Sequence, residues 1–150
     1  MKQASQAIIY RGNEYLLQLR DNCSDLWYPD QWSFFGGEIE NGETPWQAIH
    51  RELLEELEWY PREGRFLYEW INRDIPCCIY FFGIPYTASL DQLVLHEGQD
   101  LGWFELEEVL EYDKISPHVS LHLHRSKREL PVRSLDQFSN VDHIFKTGHD

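Results

Sequence analysis

The apolar positions fall into short runs separated by turn residues, with one longer stretch of helical period. Runs at 6–10 and 15–20 flank Gly12 and Asn13 and read as a β-hairpin. Residues 21–30 are rich in turn formers yet hold Trp27 and Tyr28, so this segment is a loop with aromatic cargo. Residues 32–35 form a short strand that delivers the chain to Gly36. Runs at 66–73 and 77–84, broken near Asp74, Ile75 and Pro76, read as a second hairpin, and 93–95 as a further short strand. Trp103 and Phe104 lead into a helix over 105–112 with Leu106, Val109 and Leu110 inward. Ser116-Pro117 marks another helix start, predicting a helix over 117–129, although the alternation of Val119, Leu121 and Leu123 also fits a strand. Leu135, Phe138, Val141, Ile144 and Phe145 recur at near-helical spacing, which predicts a C-terminal extension packed on the domain or on a second subunit. Mixed strands, one long helix between them and later helices predict an α/β fold, an α/β/α sandwich. Its domain spans 1–130 and the extension 131–150.

The long helix is the best marked element. Thr44 is an N-cap, Pro45 fits the first helical position, and Gln47 completes a capping box. Trp46, Ile49, Leu53, Leu54 and Leu57 form the inward stripe. On the opposite face Glu52, Glu55 and Glu56 stand at i, i+3 and i+4. Three carboxylates on one face repel, and a divalent cation turns that repulsion into ligation. Hard cations such as Mg²⁺ or Mn²⁺ take such oxygen ligands. Arg51 and Glu55 are i, i+4 partners, a pairing that holds one carboxylate and leaves two free. Gly36 and Gly37 permit close approach of the backbone to a metal.

Gly37, Glu43 six positions on, and then Arg51-Glu52-Leu53-Leu54-Glu55-Glu56-Leu57 resemble the Nudix box, G-x5-E-x7-R-E-U-x-E-E-x-G-U, where U is apolar. One position departs, since Glu58 stands where the family has its second glycine. Either Glu58 takes a left-handed conformation at about 1 kcal/mol, or the helix runs on to Tyr60 before Pro61. The resemblance covers about residues 4–125 and implies the Nudix fold and a metal-dependent hydrolase, MutT-like in its loops. It implies that Glu55 and Glu56 are metal ligands, that Glu52 is a ligand or the general base, and that the Gly36 carbonyl completes the site. Glu43 and Arg51 would orient those ligands. Glu97, in a Glu-Gly-Gln run ahead of Trp103, would be a further ligand or the base. Arg20 would meet substrate phosphates with its planar fork. Trp27 or Tyr28 would stack a base. His118 lies near where MutT-like enzymes contact the base.

The resemblance implies cleavage of a phosphoanhydride in a nucleoside diphosphate derivative, most simply a (d)NTP to monophosphate and pyrophosphate. Nucleotide sugars or ADP-ribose are the alternative substrates. A non-catalytic nucleotide-binding domain is a further alternative, opposed by survival of every box carboxylate. An isomerase on the same fold would want a nucleophilic cysteine in the pocket.

Composition narrows the picture. A chain of 150 residues with 42% hydrophobic content has enough for one core. The formal net charge of −13 disfavours binding to a nucleic-acid backbone, while small phosphates can arrive as metal complexes. The three cysteines, Cys23, Cys77 and Cys78, make neither a disulfide framework nor a metal pattern, and Cys77 and Cys78 read as core. His118, His122 and His124 read as a surface cluster rather than a zinc site. No run approaches a membrane span and no signal-peptide core is present, so the expectation is a cytoplasmic monomer or homodimer.

Overall fold

The computed structural model describes residues 1–88, 93–96, 98–130 and the backbone of 144–146. Strand β1 (Lys2–Arg11) turns at Gly12 into β2 (Glu14–Leu19). The two pair antiparallel only at Ile9 to Arg11. Along Ala4 to Ala7 the same edge of β1 instead takes β4 (Phe35–Glu38), antiparallel. On its other edge β1 pairs parallel with β6 (Cys77–Pro85) from Lys2 to Tyr10. β5 (Glu63–Asn72) is the hairpin partner of β6 and takes β8 (Ile144–Lys146) at Glu63 to Arg65. β3 (Trp32–Ser33) and β7 (Asp100–Glu105) both pair with β2. The mixed sheet therefore forks where β1 leaves β2 for β4, and the glycines of β4 lie in that fork.

Side chains alternate across the sheet, as the pleat requires. Ala4 and Ile8 of β1, with Cys77, Ile79 and Phe81 of β6, join the core beneath α2 (Leu106–Glu111) and α3 (Val119–Glu129). Ala7 and Ile9, with Phe82 and Ile84, join Ile49, Leu53 and Leu57 of α1 (Pro45–Leu57). One helix on one face and two on the other is the expected α/β/α sandwich. No described helix is long and apolar enough to cross a membrane.

Several expectations are corrected. Leu54 and Leu110 point outward, 49% and 62% exposed, because each follows an inward residue by about 100° of helix turn. The strand at 32–35 is two strands broken at Phe34, since the chain changes partner at the fork. Residues 93–95 are not a strand. The N–H of Val94 donates to Leu57 O and that of His96 to Glu56 O, so the segment serves the open carbonyls of α1 instead of a sheet edge. Residues 119–129 are helical, burying Val119, His122, Leu123 and Ser126 at helical spacing. In the tail, 144–146 form a strand rather than a helix, while Leu135, Phe138 and Val141 lie outside the described residues. Strand β7 was not anticipated.

Helix α1 ends at Leu57, short of Tyr60. Glu58 adopts the left-handed conformation (φ 53°, ψ 33°), and its N–H donates to Leu54 O at 3.0 Å. The turn redirects the chain so that Trp59 is buried edge-on against Tyr86. An ordinary side chain there costs about 1 kcal/mol relative to glycine. The Glu58 carboxylate meets the His96 imidazole, but both are exposed and such a pair contributes little. Glu58→Gly is therefore expected to raise the unfolding free energy by about 1 kcal/mol in urea titration.

Candidate active site

Helix α1 starts where the sequence signals it. The Gln47 N–H donates to Thr44 Oγ1 at 3.1 Å, and the Thr44 N–H donates to Gln47 Oε1 at 2.9 Å. The buried Ser5 hydroxyl of β1 donates to Pro45 O at 2.7 Å, fixing the first turn to the sheet. The acidic face of the helix thus has a set position relative to β4.

Arg51 organises that face. Its Nε and Nη2 donate to the two oxygens of Glu43 at 2.7 and 3.1 Å. Nη1 donates to Glu52 at 2.7 Å and to Glu55 at 3.2 Å, and Nη2 also reaches Glu38 O at 3.0 Å. The expected single pair with Glu55 is thus a hub holding Glu43 and Glu52 as well. Hydrogen bonds from Arg51 hold the Glu43 carboxyl below the usual carboxylate range. The same contacts, Glu43 first, raise the guanidinium further above neutrality. Glu56 is only 3% exposed, so the three glutamates do not share one open face: Glu55 is outward, Glu52 half-buried, and Glu56 beneath them.

The two glycines have separate jobs. A Cβ on Gly36, whose φ is 153°, would lie 2.1 Å from Ser5 O, so the close pairing of β4 with β1 requires its absence. A Cβ on Gly37 would lie 2.5–2.7 Å from the Glu52 carboxyl atoms; the bare glycine is the cradle for that carboxylate. Glu52, Glu55, Glu56 and the peptide carbonyls of β4 are all oxygen donors, the set that suits a hard divalent cation. Among the described residues no three His, Cys, Asp or Glu side chains converge as a ready cluster; Glu52 and Glu55 are each hydrogen-bonded by Arg51. Glu97 lies outside the described residues.

Arg20, Trp27, Gly36 and Gly37 line one cavity of about 200 Å³. A second, tight cleft of about 30 Å³ is lined by aromatic side chains including Trp27, Tyr28, Phe34, Trp70 and Phe81. Trp27 and Gln6 border both, so the glycine end and the aromatic end are neighbours. Asn72 Nδ2 donates to the Tyr28 hydroxyl at 3.0 Å and sets that ring. The loop carrying Trp27 and Tyr28 is tied down at Asp30, which receives Gln99 Nε2 and Lys114 Nζ, each at 2.8 Å. Four non-glycine residues with positive φ, Tyr28, Asp30, Lys114 and His118, lie in the two loops that meet there.

His122 corrects the reading of a histidine surface cluster. It is 2% exposed, its ring stacked on Phe81 at 4.2 Å and edge-on to Trp70 at 4.5 Å. Burial, with positive charge at His118 and Arg125, pushes its pKa down to about 3. His118 faces Asp74 at 3.2 Å, and His124 is exposed. The spacing of His122 with Val119, Leu123 and Ser126 was the signal that marked it as inward. Gln6 and Asn72 carried no comparable signal.

Two predictions follow from this geometry. Gly37→Ala is expected to displace only the flexible end of Glu52, keeping stability within about 1 kcal/mol while weakening Mn²⁺ binding. Gly36→Ala meets backbone and should lose more than about 2 kcal/mol; urea titration and Mn²⁺ binding separate the two. His122 remains neutral in the folded protein down to about pH 3, whereas an unfolded imidazole gains its proton near pH 6.5. Stability should therefore fall as pH drops through that window. The His122 share of the loss is on the order of 1–2 kcal/mol between pH 6.5 and 5, and it should vanish in His122→Phe.

The NUDIX domain family matches residues 1–123. The CTP pyrophosphohydrolase of Escherichia coli K12 is 32% identical over 112 residues, covering 75% of this chain and 82% of that protein. The RNA pyrophosphohydrolase of Psychromonas ingrahamii is 28% identical over 113 residues; the match covers 71% of this chain but only 59% of that longer protein. Among solved structures, the MutT protein of Methanosarcina mazei Go1 superposes with a TM-score of 0.72 at 20% identity, over 85% of this chain and 94% of that one. The E. coli ORF135 protein does so with a TM-score of 0.67 at 29% identity, over 91% and 95%. Nudix hydrolases generally use divalent metals, in keeping with the oxygen-rich donor set. With its box carboxylates, its fold and these relatives, the chain belongs to the Nudix family and is a Nudix hydrolase.

Proposed function

We propose that this hydrolase cleaves a phosphoanhydride bond in a nucleoside diphosphate derivative, with a (d)NTP as preferred substrate and monophosphate and pyrophosphate as products. Mg²⁺ or Mn²⁺ is the cofactor. The observation that carries the reading is the shared wall of Trp27 and Gln6, which puts an aromatic cleft beside the cavity lined by Arg20, Gly36 and Gly37. A ring at one end and phosphates at the other is the layout of a nucleotide. The match to the E. coli CTP pyrophosphohydrolase, over 82% of its length, supports the same substrate class.

In this reading Glu55, Glu56, Glu52 and the Gly36 carbonyl would hold the metal, with Glu97 as a further ligand. A bound divalent cation supplies neutralisation of phosphate charge and a more acidic water. Glu52, or alternatively Glu97, accepts the proton of the attacking water. Arg51 fixes the Glu52 carboxylate for that task. Arg20 meets the phosphate oxygens. Trp27 and Tyr28 sandwich or flank the base, and the Asn72 contact holds the Tyr28 ring in place.

The test is product analysis with (d)NTPs, nucleotide sugars, ADP-ribose and capped or triphosphorylated RNA ends in Mg²⁺ and then Mn²⁺. Release of pyrophosphate from a triphosphate, abolished by EDTA and reduced about 10²–10³-fold by Glu56→Gln, is expected. Turnover confined to ADP-ribose or nucleotide sugars would move the substrate to the alternative class.

A further inference from the structure

The oxygen donors of the candidate metal site come from two different elements. The peptide carbonyls belong to β4, and Glu52, Glu55 and Glu56 belong to α1. Their separation depends on how the helix is held against the sheet. Ile49, Leu53 and Leu57 press α1 onto the apolar face of β1 and β6, but hydrophobic contact is non-directional and does not by itself fix the helix along its axis. Directional bonds do, and Ser5 makes one away from solvent.

Ser5 is wholly buried in the middle of the sheet, opposite Gly37 on β4 and Tyr80 on β6. Its carbonyl oxygen is the atom that a Cβ on Gly36 would strike. Its hydroxyl donates to Pro45 O, in the first turn of α1, at 2.7 Å. One residue therefore touches both halves of the donor set: its backbone holds the glycine strand and its side chain holds the helix. Pro45 O is a carbonyl inside the helix, in line for the helix's own bond from four residues on, so the tie to Ser5 is additional to what the helix needs. The bond from Arg51 to Glu38 O is another directional link between α1 and β4, and it lies on the exposed side.

We infer that Ser5 is a positioning residue of the metal site: by anchoring the first turn of α1 to the strand that pairs with Gly37, its hydroxyl sets the spacing between the β4 carbonyls and the α1 carboxylates, and with it the preference for Mg²⁺ over a larger cation. Mg²⁺ demands near-ideal octahedral geometry at about 2.0–2.1 Å, whereas Ca²⁺ accepts about 2.3–2.6 Å and a flexible arrangement. A helix free to shift slightly still closes on Ca²⁺ but loses the geometry that Mg²⁺ requires. This inference rests on the reading of Glu52, Glu55, Glu56 and the Gly36 carbonyl as the metal ligands.

The experiment is competition of Mg²⁺ and of Ca²⁺ against Mn²⁺ on the full chain without nucleotide, read from the electron paramagnetic resonance signal of free Mn²⁺. Ser5→Ala is compared with the wild type and with Ser126→Ala, which removes another wholly buried serine hydroxyl, one that donates to Leu123 O at 3.0 Å within α3. Ser5→Ala is expected to weaken Mg²⁺ binding about 10-fold and Ca²⁺ binding less than about 3-fold, while Ser126→Ala changes neither. Equal losses for both cations, unchanged affinities, or the same shift in Ser126→Ala overturn the inference and leave the metal reading of the site intact. Failure of the wild type to bind Mn²⁺ at all overturns both. Should Ser5→Ala not fold, as judged by urea titration, Ser5→Cys, close to serine in shape and only a weak donor, is held to the same outcomes.

Discussion

Arg51 is the countercharge on which the acidic face of α1 depends. Glu43, Glu52 and Glu55 would repel one another along a short stretch of surface, and the guanidinium draws an oxygen of each to within about hydrogen-bond distance while also reaching the Glu38 carbonyl. A lysine could neutralise one of these groups but lacks the planar fork that serves several at fixed angles. The helix, the loop holding Glu43 and the end of β4 are joined through this one side chain. Its grip on Glu52 meets the bare Gly37 from the other side, so the position of that carboxylate is set twice.

The sheet gives that arrangement its place. β1 pairs with β2 at one end and β4 at the other, and the fork between them exposes the peptide edge of Gly36 and Gly37 beside the helix. The neighbouring loops are held by tertiary contacts more than by local preference. Tyr28, Asp30, Lys114 and His118 all adopt backbone conformations that ordinary side chains resist, and the Gln99–Asp30–Lys114 contacts keep two of these loops together. Local strain and tertiary restraint coincide around the aromatic cleft.

Helix α1, both hairpins and the box were legible in the sequence because each has a local signature: a cap, a turn dipeptide, a fixed spacing of charges. The fork was not, since a two-residue strand that changes partner leaves no periodic trace. Residues 93–95 look like a strand by composition, yet their donors answer a need created elsewhere, the open end of α1. Arg20, Trp27 and Tyr28 were singled out and do line the two cavities, but their joining through Gln6 depends on long-range pairing that no local pattern encodes. His122 is hidden when histidines are grouped by type, and only the helical face it shares with Val119, Leu123 and Ser126 shows it inward. Leu54 shows the opposite error, an apolar residue credited to a stripe that it adjoins without entering.

Glu58 bears on how such chains are found. The family motif writes a glycine at this position, and a search that demands the letter would discard this protein although its backbone makes the same left-handed turn. What is shared there is a conformation. Sequence patterns built on permitted backbone geometry, with a modest penalty for side chains that strain it, would retain members that a literal pattern loses, and would place the divergence where it costs least: two residues beyond the last carboxylate of the box.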